Sequence, residues 1–340
     1  MRISFIISVF AVPLFLVSVL IGGCSGGRKQ VDLTGLDPGI EIKRLEQDLF
    51  AIDLDSIPEQ LPPLIDKYGE FFDIFNYYLI RAGDPGSAAY AEHLKRFLTD
   101  FDIYRLRNEA ESVFYDMSET EAGLNEAFSY YMFYFPGYTI PTIYTYISGF
   151  NQSLITAEGI LGIGLDKYLG RDHFFYSQLQ LPRYQRYNMH PDKILSDCMI
   201  TWAMTEFEFD DSVDNLLSHM VYQGKLLYFA DAVLPGQHDS LKTGFSPDEL
   251  EWCKRNEAQM WTYLVENKML FTTDARTIDR FINPGPFTAE FSRESPARAI
   301  VWLGWQIVDS YMKRHKDVSL EELMLNDDYQ GILNGARYRP

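Results

Sequence analysis

The chain has 340 residues, enough for one large domain or two closely packed ones. It carries 48 acidic and 30 basic side chains, which give a formal net charge of −18 at pH 7. This charge argues against a nucleic-acid partner, which requires a basic surface, and against broad electrostatic binding of the protein body to anionic lipid. Aromatic residues make up 15% of the chain, so we expect a large aromatic core; an aromatic cleft for a sugar or a peptide is the alternative.

The first residues predict a lipoprotein signal. A positively charged start and a long apolar run lead into Gly22, Gly23 and Cys24, and small residues before a cysteine are typical of a bacterial lipobox. We therefore predict a cleaved signal peptide over residues 1–23, lipid attachment at Cys24 and a flexible tether over residues 24–38. The alternative is an uncleaved helix, because the apolar run is just long enough to span a bilayer.

The residues around Cys24 also predict where the protein lies in the cell. Acylated Cys24 makes the lipid bilayer the first expected partner, and stable anchoring requires more than one acyl chain. Ser25 stands where an aspartate would retain the protein in the inner membrane, which favours the outer membrane. The following residues lack the acidic cluster of a surface-export signal, which favours an orientation towards the periplasm.

From residue 41 onwards the pattern is mainly helical. Apolar residues recur at helical spacing in four successive segments, 41–50, 58–80, 87–117 and 118–135. Ser118 and Glu121 have the spacing of a capping box, which predicts the start of the fourth helix.

The middle of the chain predicts a pair of strands. Residues 141–148 are rich in β-branched and aromatic side chains, and residues 159–166 form a second apolar run beyond a loop that contains Asn151 and Gln152. A polar, tyrosine-rich connection over residues 170–188 follows. These features predict one small antiparallel β element.

Helices resume in the second half, over 192–209, 212–232, 246–269, 295–314 and 319–333, with proline- and glycine-rich breaks between them. The predicted fold class is therefore mostly α (α+β). We expect a single, mainly helical domain over residues 39–340 that contains the small antiparallel β element.

One pair of side chains has the spacing of metal ligands. His219 and Gln223 are four residues apart on one face of a predicted helix. An amide binds zinc poorly, and Met220 stands where a zinc hydrolase carries its general base. The favoured role for the two side chains is therefore hydrogen bonding inside a pocket or covering a helix face, and we predict no catalytic residue, no metal and no cofactor.

Four further residues are candidates for the lining of a pocket. Asp166 ends the second strand, Glu257 lies four residues before Trp261 on a predicted helix, and Trp305 and Gln306 are adjacent on another. A turn cap is the alternative role for Asp166, and core packing is the alternative role for the tryptophans.

The cysteines predict no disulfide framework. Once Cys24 is acylated, only Cys198 and Cys253 remain. We expect two buried free thiols, with a Cys198–Cys253 bridge as the alternative that a periplasmic location allows.

Several of these segments together resemble one family, the gliding-motility lipoprotein B family of Bacteroidetes. The similar runs occur in order and extend from Pro141 to Phe150, Gly162 to Gly170, Leu216 to Phe229 and Gly304 to Met312. The resemblance covers about residues 40–340. It implies an envelope lipoprotein associated with the gliding apparatus, which in that phylum is linked to type IX secretion.

The family is similar in turn to predicted zinc-dependent proteases of the zincin type. These carry an H-E-x-x-H helix and a downstream Glu-Gly pair, which corresponds here to Gln223 and Gly224. The segment 196–207, where the metal helix would fall, contains no histidine. The resemblance therefore implies a degenerate zincin-like fold that has lost its metal site.

These observations lead to one favoured hypothesis and two alternatives. The favoured hypothesis is a non-enzymatic binding or assembly component that contacts envelope proteins of a gliding or secretion apparatus. The first alternative is a divergent zincin-like metallopeptidase, or another periplasmic hydrolase that uses carboxylates such as Asp166 and Glu257. The second is capture of glycans.

Overall fold

The computed structural model describes residues 31–340 of the chain. The predicted signal peptide, Cys24 and the first part of the predicted tether lie outside the described residues. Leu33–Pro340 form one compact unit. Within the described part of the chain, no helix is both long and apolar enough to cross a membrane.

The first part of this unit is a short strand followed by helices. In order, the elements are β1 (Ile42–Arg44), α1 (Leu45–Phe50), α2 (Ile57–Tyr68), α3 (Glu70–Ile74), a π-helical turn (Phe75–Leu79), α4 (Tyr90–Thr99), α5 (Phe101–Val113) and α6 (Ser118–Tyr134). The helix predicted over 41–50 is wrong for its first turn, because those residues pair along the edge of the sheet.

Four short strands form one mixed sheet in the order β1-β2-β4-β3. Strand β2 (Thr142–Tyr146) is parallel to both β1 and β4 (Ile160–Gly164), whereas β3 (Leu154–Ala157) is antiparallel to β4. The predicted antiparallel pair is therefore wrong, since β2 and β4 run in the same direction. The predicted loop between them contains β3, which turns back at Gly159 (φ +67°) to form the hairpin with β4.

The alternation of side chains along β2 separates two hydrophobic cores. Ile143 belongs to the larger core, whereas Tyr144 and Tyr146 belong to a smaller core formed with α1 to α4. The Phe71 ring stacks on Tyr144 with the ring centroids 4.3 Å apart. Gly162 makes this packing possible, because a Cβ there would lie 2.7 Å from the Phe71 ring. The sheet is therefore a shared layer between the two cores.

The second part of the chain is helical, which confirms the predicted mostly α (α+β) class. The helices are α7 (Phe174–Gln178), α8 (Arg183–Arg186), α9 (Ile194–Glu206), α10 (Leu216–Val233), α11 (Asp239–Thr243), α12 (Pro247–Glu266), α13 (Ala275–Ile282), α14 (Ala299–Arg314), α15 (Leu320–Met324) and α16 (Tyr329–Ala336). The single helix predicted over 319–333 is wrong, because Asp328 caps a new helix by accepting from the Gly331 N–H at 2.7 Å.

Helices α10 and α14 cross with their backbones in contact. A Cβ on Gly224 would lie 2.2 Å from the Gly304 carbonyl oxygen, and a Cβ on Gly304 would lie 1.9 Å from the carbonyl oxygen of Met220. Glycine is therefore required on both helices at this crossing.

The predicted capping box is wrong. Ser118 lies in the first turn of α6, which has no side-chain cap. The Glu121 carboxylate instead accepts from the Ile42 N–H at 2.9 Å, and Asn125 exchanges two hydrogen bonds of 2.9 Å with the backbone of Ile40. These polar side chains of α6 therefore fix the start of β1.

Candidate functional site

His219 and Gln223 share a face of α10 but contact different segments. The His219 Nε2 lies 2.7 Å from Asp214 Oδ1, and its ring stacks on Phe209 with the centroids 4.5 Å apart. The Gln223 Oε1 accepts a hydrogen bond of 3.2 Å from Arg298 Nη2. Gln223 therefore contacts the residue that precedes α14, whereas His219 contacts the loop before α10.

Asp166 is completely buried just after β4. Its Oδ2 accepts hydrogen bonds from the backbone N–H of Ser148 at 3.1 Å and of Phe150 at 2.7 Å. Burial raises the pKa of this carboxyl to about 6, although both hydrogen bonds act in the opposite direction. Asp166 thus holds the turn that follows β2.

Glu257, Trp305 and Gln306 lie around the contact between α12 and α14. The two Glu257 carboxylate oxygens accept from the Tyr338 hydroxyl at 2.6 Å and from Trp302 Nε1 at 2.9 Å. Trp305 is buried with its ring edge-on to Trp302, the centroids 5.8 Å apart, and Gln306 is half-buried. Glu257 therefore ties the C-terminal residue Tyr338 to α12 and α14.

A cavity of about 680 Å³ lies elsewhere, and none of these six predicted pocket residues lines it. The volume is typical of a small-molecule site. Its wall comes from the end of the sheet, the tyrosine-rich connection, α9, the start of α12 and the segment before α14. We call it the tyrosine cavity, after three of its lining residues, Tyr168, Tyr184 and Tyr187.

Asp197 is one of two carboxylates on the wall of the tyrosine cavity. Its Oδ1 forms an ion pair with Lys193 one helical turn earlier, and its Oδ2 accepts from the Tyr168 hydroxyl at 3.1 Å. Burial raises the pKa of Tyr168 well above its ordinary value, so this phenol stays protonated as a donor. Lys193 is itself buried and also donates to Ser196 Oγ at 3.1 Å.

Arg298 places a cation on the same wall. Its Nε is shielded from solvent and has no hydrogen-bond partner, while Nη2 donates to Gln223. Burial lowers the pKa of the guanidinium, and the negative charge of Asp197 opposes this effect. The backbone of Arg298 is left-handed, with φ +59°, directly before α14. Residues other than glycine rarely adopt this conformation, and such strain is concentrated at functional sites.

Buried hydroxyls hold the segment that carries Arg298. The Thr288 N–H donates to Ser295 Oγ at 3.1 Å, and Ser295 Oγ donates to the Thr288 carbonyl oxygen at 2.9 Å. Thr288 Oγ1 donates to the Pro296 carbonyl oxygen at 2.9 Å. Both hydroxyl side chains are buried, so hydrogen bonds within the protein hold the segment before α14.

The two thiols are placed in the core. Cys198 and Cys253 are free and buried, as predicted. Burial raises the pKa of both thiols well above the ordinary value, which makes them poor nucleophiles. In the part of the chain that the structure describes, no three His, Cys, Asp or Glu side chains form a group that could hold a metal ion. The arrangement in the tyrosine cavity supplies fixed charges and aromatic surface for binding.

Sequence reasoning missed Lys167, Tyr187, Asp197 and Arg298 as cavity residues. Only weak signals point to them: Lys193 and Asp197 have the i, i+4 spacing of an ion pair, and Arg298 immediately precedes an apolar helix. Both patterns are common in helical proteins and do not indicate a cavity. The cavity is assembled from segments that are far apart in the chain, so a local pattern cannot locate it.

Comparison with known proteins identifies the family. The sequence model described as Gliding motility protein GldB matches residues 26–340, which include every segment of the tyrosine cavity. No curated protein and no solved structure gives a significant match to the chain. Because the family match extends over nearly the whole chain, this protein belongs to the gliding motility protein GldB family.

Proposed function

We propose that this protein is a lipid-anchored lipoprotein of the cell envelope that acts as a binding and assembly component of the gliding apparatus. In this role it has no chemistry of its own, contacts other envelope proteins and is linked to type IX secretion. Family membership supports the connection to gliding. The lipobox pattern that ends at Cys24 supports the anchor, and Ser25 supports an outer-membrane location facing the periplasm.

The pairing of the carboxylates in the tyrosine cavity carries the argument for binding without catalysis. Asp197 accepts from Lys193 and Tyr168, and Glu249 accepts from the Ser246 N–H at 2.7 Å where α12 begins. A general base must be able to reach a proton of the substrate. These carboxylates are engaged by fixed donors of the protein itself, so the cavity is suited to hold a ligand unchanged.

Gene replacement in a gliding member of the Bacteroidetes tests the role of the cavity. The Gly285→Trp variant should fill it, since the nearest atoms to a Cβ at this lining position are 3.8 Å away. We expect gliding to be lost while the protein remains at its normal level. Gly236→Trp is the matched control, because a Cβ there has open space around it and the residue does not line the cavity. Single-cell tracking that shows normal gliding in Gly285→Trp would contradict a role for the cavity.

Replacement of the acylated cysteine tests the anchor. We expect Cys24→Ala to move the protein from the membrane fraction to the soluble fraction, because acyl chains supply the membrane affinity. Gliding and the release of secreted proteins should fall together. Persistence of Cys24→Ala in the membrane fraction would show that another segment holds the protein there.

The hydrolase alternative gives different expectations. Elemental mass spectrometry of residues 31–340, purified without a histidine tag, should show no stoichiometric zinc. Near-stoichiometric zinc that is lost in His219→Ala would contradict the non-enzymatic role. Likewise, a gliding defect of Asp166→Asn in a stable protein would favour chemistry at this carboxyl.

A further inference from the structure

We infer that the tyrosine cavity binds a small anionic organic ligand, whose carboxylate or phosphate group is held by Arg298 at the start of α14. This inference rests on the proposed binding role and deepens it by naming the class of ligand. The site is the part of the cavity wall that carries Arg298 and the end of α14, and Lys167 and Arg183 are the other two cationic side chains of the lining.

The first observation is the state of the Arg298 guanidinium. Its Nε is shielded from solvent and has no acceptor within the described protein, while Nη2 is held by Gln223. A buried charged donor without an acceptor is destabilising. The planar donor fork of arginine matches two oxygens of a carboxylate or a phosphate. Arg298 lines the cavity, so an anion there would balance the charge of this guanidinium.

The second observation is the local charge. The whole chain carries a net charge of −18, yet cations outnumber anions among the residues that line the cavity. The cations are Lys167, Arg183 and Arg298, and the anions are Asp197 and Glu249. The negative charge of Asp197 is further balanced by Lys193, which lies outside the lining. The lining therefore has a small formal excess of positive charge, in contrast to the chain as a whole.

The third observation is the end of a long helix. Helix α14 has 16 residues, and its N-cap is Arg298 itself. The N-terminal end of a helix carries a partial positive charge that favours anions. Ala297 and Arg298 both line the cavity, so this end of the helix lies next to the cavity wall. The helix end and the guanidinium thus favour the same charge.

The remaining wall indicates the body of the ligand. Tyr168, Tyr184 and Tyr187 line the cavity together with Asn188. The Arg171 guanidinium covers one face of the Tyr187 ring at 4.4 Å from its centroid and holds that ring in place. Aromatic faces with nearby polar groups suit a saccharide or a peptide, and the volume of about 680 Å³ is much larger than an inorganic ion needs.

Gln223 gives the sharpest test of this site. Its neutral amide oxygen orients Arg298 without cancelling the positive charge. In Gln223→Glu, a carboxylate of nearly the same shape would form an internal ion pair with Arg298 and compete with the ligand. Gln223 is therefore a positioning residue, and this variant removes anion binding without emptying the interior.

The experiment is a calorimetric titration of purified residues 31–340, which contain the compact unit, with glucuronate, inorganic phosphate and glucose. We expect glucuronate or phosphate to bind and glucose to bind at least about tenfold more weakly, since one hydrogen bond to a charged group has this effect. Gln223→Glu and Arg298→Gln should each weaken binding of the anion by about tenfold or more. His219→Gln, one turn away on α10, should bind like the wild type.

The pattern of binding decides the outcome. Binding of glucuronate but not phosphate identifies a carboxylate ligand, and competition by phosphate identifies a phosphate group as an accepted anion. Equal binding of glucose, anion binding that survives Gln223→Glu, or no anion binding at millimolar concentration would each overturn the inference. Thermal unfolding verifies that each variant is folded. If Arg298→Gln does not fold, the titrations of the wild type and of Gln223→Glu still test the inference.

Failure of this inference is distinguishable from failure of the proposed function. If the cavity binds a neutral ligand, the anion titration fails, while Gly285→Trp still abolishes gliding. If the protein is a zinc hydrolase, the metal analysis overturns the proposed function whatever the titration shows.

Discussion

At the residue scale, the ionisation of Asp166 opposes folding. The pKa of this buried carboxyl is about 6 in the folded protein, above its ordinary value of 3.8. The folded state therefore binds the proton more tightly than the unfolded chain does. Stability that is present below about pH 4 is lost as the pH rises through about 6.

The Asp166→Asn variant should remove this pH dependence. An amide keeps an acceptor oxygen for the N–H groups of Ser148 and Phe150 but cannot ionise. Relative to the wild type, the free energy of unfolding of the variant should rise by about 2–3 kcal/mol between about pH 4 and about pH 7. Urea denaturation at several pH values measures this difference. Parallel stability curves for the two proteins would show that Asp166 does not titrate in this range.

The Glu257 carboxylate is a second residue-scale tie. It accepts one hydrogen bond from Trp302 and one from Tyr338 and so holds the chain terminus against α12 and α14. We expect Glu257→Ala to lower the free energy of unfolding by about 2–4 kcal/mol, because two donors lose a charged acceptor.

Tyr338→Phe is the matched control for Glu257→Ala, since it removes only one of the two hydrogen bonds. The expected loss is about 1–2 kcal/mol. Chemical denaturation followed by circular dichroism measures both variants. If Tyr338→Phe is as destabilising as Glu257→Ala, the bond to Trp302 contributes nothing.

At the element scale, the crossing of α10 and α14 decides the geometry of the site. The two helices approach through Gly224 and Gly304, and the residue beside Gly224 is Gln223, which orients Arg298. The pair Gln223-Gly224 thus has a structural role in this protein. Its glycine allows the crossing, and its glutamine holds the arginine.

A methyl group at this crossing should be severely destabilising. In Gly224→Ala the new Cβ would meet the Gly304 carbonyl oxygen at 2.2 Å, so the helices must separate. We expect a loss of about 3 kcal/mol or more in the free energy of unfolding, at the upper end of the range for overpacking. Gly236→Ala, which meets no atom within 4 Å, should change stability by less than about 0.5 kcal/mol. Equal thermal stability of the two variants would refute the close crossing.

At the scale of the whole molecule, the sheet joins two cores into one structure. Tyr144 and Tyr146 pack into the smaller core from the same strand whose Ile143 packs into the larger one. Loss of either core would expose one face of the sheet. The two cores should therefore unfold together.

Two spectroscopic probes can measure this coupling. All five tryptophans lie after residue 200, in or against the larger core, whereas the far-ultraviolet circular dichroism reports helices on both sides of the sheet. We expect the urea transitions from tryptophan fluorescence and circular dichroism to coincide for residues 31–340. An earlier transition by circular dichroism would show that the smaller core unfolds independently.

Much of the secondary structure could be predicted from the sequence, because it depends on local patterns. The periodicity of apolar residues located α6, α9, α10 and α12 within a few residues of their observed bounds. The two central strands were located by their β-branched and aromatic side chains. The sequence did not predict that these two strands are parallel. Their relative direction depends on β3, a strand of four residues in a segment with no strong pattern.

The sequence by itself determined the acidic charge, the predicted anchor at Cys24, the mostly helical class and the family, since these depend on composition and on residues close together in the chain. Only the tertiary structure decided the strand directions, the glycine crossing and the tyrosine cavity. Lys167, Asp197 and Arg298 line the same cavity because the sheet, α9 and the segment before α14 pack around it. Such an arrangement of distant segments cannot be predicted from a local sequence pattern.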